Sequence, residues 1–496
     1  MAEMLEPDKR PTARVLDPGA GAGVLGIAAA ATLLDRGAES VRLTAVETAP
    51  AALRALNQSL SLARSRLGPD FSFDIVDKDF LDFGGLTAAK AVAGQVDYVI
   101  CNPPYFKLSP SDRRGGAAPN IYARFMEVSG QLLSQGGQLV FIVPRSYTSG
   151  FYFRRFRRRF HSSMTVGAMH LFESRRDAFR RDGVLQENLI IGCVKGQAEQ
   201  PGDVQITVSH DLDDLGESPP LLAPLSRIVD PSDENAWVLA PEREDDLALL
   251  EMIEMLPERL SGLGLAISTG PVVPFRAREY LTDLGSERLS IPLLWLQHVR
   301  RGRVEWPLGE GLAKSEGLAA EAPGKLQIPD QTCVLLRRFS AKEESRRLTA
   351  APLLKRTLPG QFFAVENHVN VILGVDREMK EDEAVGLATL LNSGAYDRYF
   401  RILNGNTQVS ATEIRGLPFP PLDDIRLIGE KVRLGDDGEA AVEEALHGNG
   451  TGPATRGRST PPPASSLEGR ATPRVGWRPP RRRTASPPGP ARRRRP

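Results

Sequence analysis

The sequence predicts an α/β domain built on a mostly parallel, helix-covered sheet, followed by a second domain of α+β character. Three observations carry this. From Arg14 to about Lys195, short β-rich apolar runs alternate with helical stretches, the pattern of a sheet covered by helices. A cluster of glycines follows the first of these runs directly, where a parallel strand hands over to a helix. From about Ala236 to Ile425 the texture changes to short strands with scattered Pro, Gly, aromatics and Arg, which marks a second domain. A chain of 496 residues also exceeds one compact core.

The elements are expected in order as the strand RVLD, an Ala-rich helix, then the strands VRLTAVE, FSFDIV, VDYVICN, QLVFIVP, TVGAMHLF and NLIIGCVK. The first domain therefore spans 1–200, a polar, Pro-containing linker spans 201–235, and the second domain spans 236–447 with the strands ISTGPVVPF, LLWLQHV, CVLLRRFS and HVNVIL. From 448 to 496, Pro, Gly, Ser, Thr and Arg dominate and apolar residues are almost absent. Such a segment cannot offset the entropy of ordering, so disorder is expected. A polyanion-binding tail and an extension from a shifted reading frame are both compatible with this composition.

The formal net charge of +1 conceals an asymmetry, because a dozen arginines in the tail face the single Glu468 while the remainder is acidic. Cys101, Cys193 and Cys333 fit neither a disulfide framework nor a zinc knuckle, which points to a reducing cytoplasm and no metal site. The N-terminus lacks an apolar signal core, and no apolar run is long enough to span a bilayer.

In sheets of this kind ligands bind beyond the carboxyl ends of the strands, and the motifs fall there. Asp17 ends the first strand, and Gly19, Gly21 and Gly23 form the turn that opens the helix, letting backbone approach a ligand closely. The spacing is neither GxGxxG nor a Walker loop, which disfavours dinucleotides and nucleoside triphosphates. Glu47 ends the second strand, where a carboxylate can accept from both hydroxyls of a ribose. Asp79 follows the third strand as an acceptor for an adenine amino group, with Asp77 a competitor for that role, and Phe80 is placed to pack on the ring. Taken singly each acid is better read as a solvated loop residue; in order after successive strands they describe one adenosine pocket. The fourth strand runs into Asn102-Pro103-Pro104-Tyr105. Two prolines fix the loop and remove donors, leaving the Asn102 amide oxygen and the Pro103 carbonyl as acceptors for an amino group. Two such acceptors favour a pyramidal nitrogen whose lone pair attacks a sulfonium methyl, and Tyr105 supplies a stacking face.

The order DPGAGAG, AVE, DF, NPPY, with the second domain last, resembles the gamma class of DNA adenine-N6 methyltransferases from restriction-modification systems, of the Eco57I and PaeR7I kind in the N6-methylase family. The resemblance covers most of Arg14 to about Ile425. It implies a class I S-adenosylmethionine-dependent, Rossmann-like catalytic domain and a C-terminal target-recognition domain. It further implies methyl transfer from S-adenosylmethionine to adenine N6 of double-stranded DNA without a metal, with a separate restriction endonuclease as partner. The base must then be flipped out of the duplex, and the resemblance places it between Tyr105 and Phe179, the latter in the signature FESRRDAFRRDGVLQENLIIG. It also puts Arg145, Ser146 and Tyr147 near the substrate side.

By the same resemblance, VLLRRFSAKEESRRL and NGNTQVSATEIRGLPFP belong to the recognition domain, with Arg337, Arg338, Lys342, Arg346, Arg347, Asn404, Asn406 and Gln408 toward DNA; a solvated charged face explains any one of these arginines equally well. Family members carry a segment before the glycine motif that closes over the methionine end of the cofactor. Sixteen residues precede Asp17, so the chain is expected to start inside its natural frame with that pocket partly open. Enzymes that methylate RNA guanines or a release-factor glutamine share the Asn-Pro-Pro-Tyr loop and form the enzymatic alternative; a DNA-binding remnant without activity is the other.

Overall fold

The computed structural model describes residues 1–448 apart from 9, 84–94, 107, 109–117, 173–187, 197–201, 210–218, 285–288, 310–313, 341–343 and 406. Phe179, Lys342, Asn406 and the arginine-rich tail of the sequence reading lie outside the described residues. The chain forms two compact units. The first comprises Met1–Leu263, Phe339–Leu348 and Leu390–Asp424; the described part of the second comprises Gly264–Arg338, Thr349–Thr389 and residues 425–448.

The first unit is built on β1 (Thr12–Pro18), β2 (Ser40–Glu47), β3 (Phe71–Asp77), β4 (Val96–Cys101), β5 (Leu133–Pro144), β6 (Met164–Phe172), β7 (Asn188–Lys195), β8 (Asp203–Ser209) and β9 (Leu221–Pro224). These form one sheet in the order β3-β2-β1-β4-β5-β7-β6-β8-β9. Neighbours from β3 to β5 are parallel, and β7 is antiparallel to both β5 and β6. This is the arrangement of class I S-adenosylmethionine-dependent methyltransferases, as expected from the sequence. Strand alternation supplies both faces with apolar residues: Val99 and Cys101 of β4 join one core, while Tyr98 and Ile100 join the other. Helix α1 (Val24–Asp35) and α2 (Pro50–Leu67) bury Ala29, Ala30, Leu33, Leu56 and Leu60 on the second face. On the first face lie the single-turn helix α3 (Phe80–Phe83) and α4 (Ile121–Leu132), which buries Ile121, Tyr122, Phe125 and Met126. No helix among the described residues is long and apolar enough to cross a membrane.

The domain boundaries differ from the expectation in two respects. The expected linker 201–235 contains β8 and β9, which extend the nine-stranded sheet with Val204, Ile206 and Ala223 buried. Residues 236–263 and 390–424, expected in the second domain, belong to the first unit. Polar side chains hold them there. Arg398 grips Asp246 (2.6 Å to each oxygen) and Glu242 (3.2 Å), and the Ser149 hydroxyl donates to the buried Glu413 at 3.0 Å.

The second unit is α+β, as expected. Four antiparallel strands, β10 (Leu265–Thr269), β20 (Val369–Gly374), β17 (Cys333–Arg337) and β18 (Ala350–Leu353), stand beside a five-stranded sheet with order β11-β15-β12-β19-β16, formed from Leu281–Thr282, Gly317–Ala319, Ser290–Leu294, Phe362–Val365 and Ile328–Pro329. Helices Glu381–Asn392 and Leu422–Leu434 cross at Gly386 and Gly429, where a Cβ would lie 1.8 Å from the Ile425 carbonyl and 1.9 Å from that of Asp382. Only glycines permit that approach.

Candidate active site

At the end of β1 the chain turns through Gly19, Gly21 and Gly23, with φ of +88°, +55° and +84°, a region that strains any side chain. Gly23 also lacks room, since a Cβ would sit 2.8 Å from the Leu56 side chain. The N–H groups of Gly19 and Ala20 both donate to the Val46 carbonyl at 2.9 Å, which ties the turn to the end of β2. Glu47 completes the tie. Its carboxylate accepts from the N–H of Gly21 at 2.9 Å and from those of Thr48 and Ala49 at 2.7 and 2.8 Å.

Asp17 is 1% exposed. One of its oxygens accepts from the Gly26 N–H at 3.0 Å, and the other is buried without a partner. Burial pushes this carboxyl up to about 7, the Gly26 hydrogen bond opposes the rise, and the negative charge of Glu47 adds to it. A buried acceptor left open beside a glycine turn fits a cationic or N–H-bearing ligand group, which would complete its bonding and relieve the cost of its charge.

Asp79 accepts from the Leu81 N–H at 2.8 Å and so caps α3. Phe80 is buried, its ring 4.9 Å from that of Phe125. The Phe125 ring in turn lies 3.6 Å from where a Cβ of Gly19 would be, so Phe80, Phe125 and the glycine turn share one neighbourhood. Phe125 was not singled out from the sequence, where its spacing with Ile121, Tyr122 and Met126 reads simply as the apolar face of a helix.

The end of β4 stands next to β1, and the Cys101 thiol donates to the Pro18 carbonyl at 2.8 Å. The cysteine that the sequence left without a role thus joins the two strand ends that carry Asp17 and Asn102. Asn102 is exposed, Pro103 buried, Pro104 exposed and Tyr105 half-buried. The Tyr105 hydroxyl lies 2.7 Å from the Asn102 amide oxygen, to which it donates, and 3.0 Å from the Ile142 carbonyl. Burial raises the phenol's pKa, with like-charge effects of Cys101 and Tyr122 adding to it, so the hydroxyl remains a donor. The Tyr105 ring meets Tyr122 edge-on at 6.1 Å, and Tyr122 stacks on Phe153 at 5.4 Å. The structure therefore brings Asp17, the three glycines, Glu47 and Asn102-Pro103-Pro104-Tyr105 to one end of the sheet.

Other sequence-derived candidates are placed differently. Arg347 is 1% exposed, donates to the Ser340 hydroxyl at 3.1 Å and stacks its guanidinium over Phe400. Asn404 is likewise 1% exposed and donates from its amide nitrogen to Glu413 at 2.6 Å and to the Gln408 carbonyl at 2.9 Å. Both are internal struts of the first unit rather than DNA contacts, because burying an arginine or an amide demands internal partners. Arg145 and Tyr147 are also buried, bonded to the Arg401 carbonyl at 2.7 Å and to His161 at 3.1 Å respectively. Arg337 and Arg338 stay half-buried in the second unit, where their side chains donate to the Val299 and Asn367 carbonyls. Arg346 is half-buried in the first unit and Gln408 is exposed there.

Known proteins resemble this chain along part or most of its length. Residues 65–179 match the family described as Eco57I restriction-modification methylase. The chain is 31% identical to the type II methyltransferase M.PstI of Providencia stuartii over 447 residues, covering 87% of each protein. It is 32% identical to the type II methyltransferase M.BsuBI of Bacillus subtilis over 462 residues, covering 90% of each. A shorter likeness, 33% over 105 residues, relates 21% of the chain to 38% of a tRNA1(Val) (adenine(37)-N6)-methyltransferase of Shewanella amazonensis.

Proposed function

The chain belongs to the type II methyltransferases of restriction-modification systems, and from that premise we propose that it methylates the exocyclic N6 of an adenine flipped out of double-stranded DNA, using S-adenosylmethionine. The observation that carries this reading is the junction of β1 and β4. There an open buried carboxylate and a glycine turn stand one strand away from a proline-fixed pair of acceptors. S-adenosylmethionine supplies a methyl group on a sulfonium, an electrophile that needs no activation by metal.

The residues of the chain divide the task. Asp17 and the turn of Gly19, Gly21 and Gly23 would hold the methionine end, Glu47 the ribose, and Asp79 with Phe80 the adenine of the cofactor. Asn102 and the Pro103 carbonyl accept the two N–H groups of the target amine, which withdraws its lone pair from the ring and aims it at the methyl carbon. The methyl group carried by a bound S-adenosylmethionine would pass to this nitrogen as its bond to sulfur breaks, and the extra proton on nitrogen would pass to water. Tyr105 orients Asn102 through its hydroxyl and offers its ring to the base. No strong base is required, since positive charge arises on nitrogen only as it leaves sulfur. A double-stranded DNA substrate, and a cognate endonuclease cutting the same sequence, follow from the restriction-modification role.

Incubation with tritiated S-adenosylmethionine and either unmethylated plasmid DNA or bulk tRNA, followed by nucleoside digestion and mass analysis, tests this. N6-methyladenine in the plasmid is expected. Label confined to tRNA, or to cytosine, would refute it.

A further inference from the structure

The β5-to-β6 connection carries surface chemistry that the site described above does not use. Gly150 begins a short 3-10 turn, Phe151–Phe153, in which Phe151 is 50% and Tyr152 83% exposed. Large rings so exposed on a mobile loop would mean little, but this turn is built. A Cβ on Gly150 would lie 2.5 Å from the Ser146 carbonyl oxygen. Arg157 of the following helix α5 (Arg154–His161) is fully buried and donates to the carbonyls of Tyr147 and Gly150, each at 2.8 Å, and to that of Asn235 at 2.8 Å. Phe153, the next residue, is buried in a stack on Tyr122, which meets Tyr105. The turn that carries the exposed pair is thus packed, through Phe153, against Tyr122, which in turn meets Tyr105.

Its surroundings are cationic. Between Arg145 and Phe172 the sequence has six arginines and no acidic residue. Arg157 is consumed by carbonyls, Arg154 pairs with Glu234 and Arg159 with Glu127, while Arg155 and Arg158 are exposed and form no ion pair among the described residues. Two unpaired guanidinium groups beside two fixed aromatic faces match a nucleic acid strand with unstacked bases: the arginines meet phosphates and a ring meets a base.

We propose that Phe151, Tyr152, Arg155 and Arg158 form a DNA contact that grips the substrate strand beside the methylated base, with Tyr152 stacking on a base exposed when its neighbour leaves the helix. This rests on the DNA-methylating function proposed above. It assigns part of substrate binding to the catalytic unit itself.

The test uses the full chain with unmethylated plasmid DNA for turnover and a short fluorescein-labelled duplex for binding. Tyr152→Ala is expected to raise the KM for DNA about tenfold or more, with Tyr152→Trp close to the parent, because stacking depends on the ring. The double variant Arg155→Ala/Arg158→Ala is expected to lower the slope of log affinity against log salt by about 2, since each phosphate contact contributes about 0.9. Cofactor affinity and thermal unfolding should match the parent in all three, which separates a contact from a structural role. A parent that methylates DNA while the variants keep its KM and salt slope overturns this inference alone. A parent that neither binds nor methylates duplex DNA overturns the function and the inference together. Loss of binding only to vesicles of anionic lipid, with DNA unaffected, also overturns it.

Discussion

Replacing Asp17 by Asn should stabilise the protein in alkaline buffer while weakening cofactor binding, and the pH dependence of the gain is what makes the reasoning testable. The Asp17 carboxyl is raised from 3.8 to about 7 by burial. Each pH unit between those values costs about 1.4 kcal/mol, so an ionised Asp17 costs the empty protein about 4 kcal/mol. The sign follows from proton counts. Between the two values the folded state holds the proton more tightly than the unfolded chain, so this residue's contribution is fully favourable below about pH 3.8 and is lost as pH rises through about 7. Asparagine keeps an acceptor for the Gly26 N–H but leaves an N–H of its own unpartnered where the open Asp17 oxygen lies, which offsets about 1–3 kcal/mol. A net gain of about 1–3 kcal/mol at pH 8 is therefore expected, shrinking toward pH 5. Urea unfolding of parent and variant across that range measures it. A difference that stays constant with pH would show that Asp17 is charged in the empty protein and that burial has been overvalued. Cofactor binding near neutral pH should meanwhile release a proton from the parent, seen as a calorimetric enthalpy that depends on the buffer's ionisation heat.

Asn102→Ala should lower single-turnover methylation by about 10²–10³-fold while leaving S-adenosylmethionine affinity intact; a parental rate would remove Asn102 from the chemistry. At Tyr105 the order of activity should be Tyr, then Phe, then Ala: Phe keeps the stacking face but loses the bond to Asn102, and single-turnover rates rank them. Glu47→Ala should weaken cofactor binding in calorimetry and, by freeing the N–H groups of Gly21, Thr48 and Ala49, speed hydrogen exchange in the glycine turn. Buried His161 is lowered from 6.5 to about 4 by desolvation, so about 3 kcal/mol of stability present above pH 6.5 should be lost as pH falls toward 4. His161→Gln should flatten that part of an acid-unfolding profile.

The placement of the candidate site residues was legible because it is set locally. Asp17, Glu47 and Asn102 each end a strand run, and the sheet delivers successive strand ends to one rim, so order along the chain predicts proximity in space. Tyr122 and Phe125 were illegible for the converse reason: their spacing is that of any apolar helix face, and only packing against Tyr105 and Phe80 gives them a place in the site. The domain boundary failed where contacts are non-local. Arg347 and Asn404 read as facing DNA because they are polar, yet each finds its partner inside the fold, and no periodicity announces that pairing. The strands β8 and β9 were obscured by polar flanking sequence, although Val204 and Ile206 alternate as a strand should.

The return of residues 390–424 to the first unit sets an order of events at the ribosome. The nine-stranded sheet is fully synthesised by Pro224, yet Asp246 then waits for Arg398, and Ser149 waits for Glu413, until more than a hundred further residues have emerged. A nascent chain halted at Leu263 would lack the guanidinium that Asp246 and Glu242 share and the carboxylate that Ser149 meets. The second unit is itself drawn from three described stretches, Gly264–Arg338, Thr349–Thr389 and residues 425–448, so exchanging it between relatives requires five junctions rather than one.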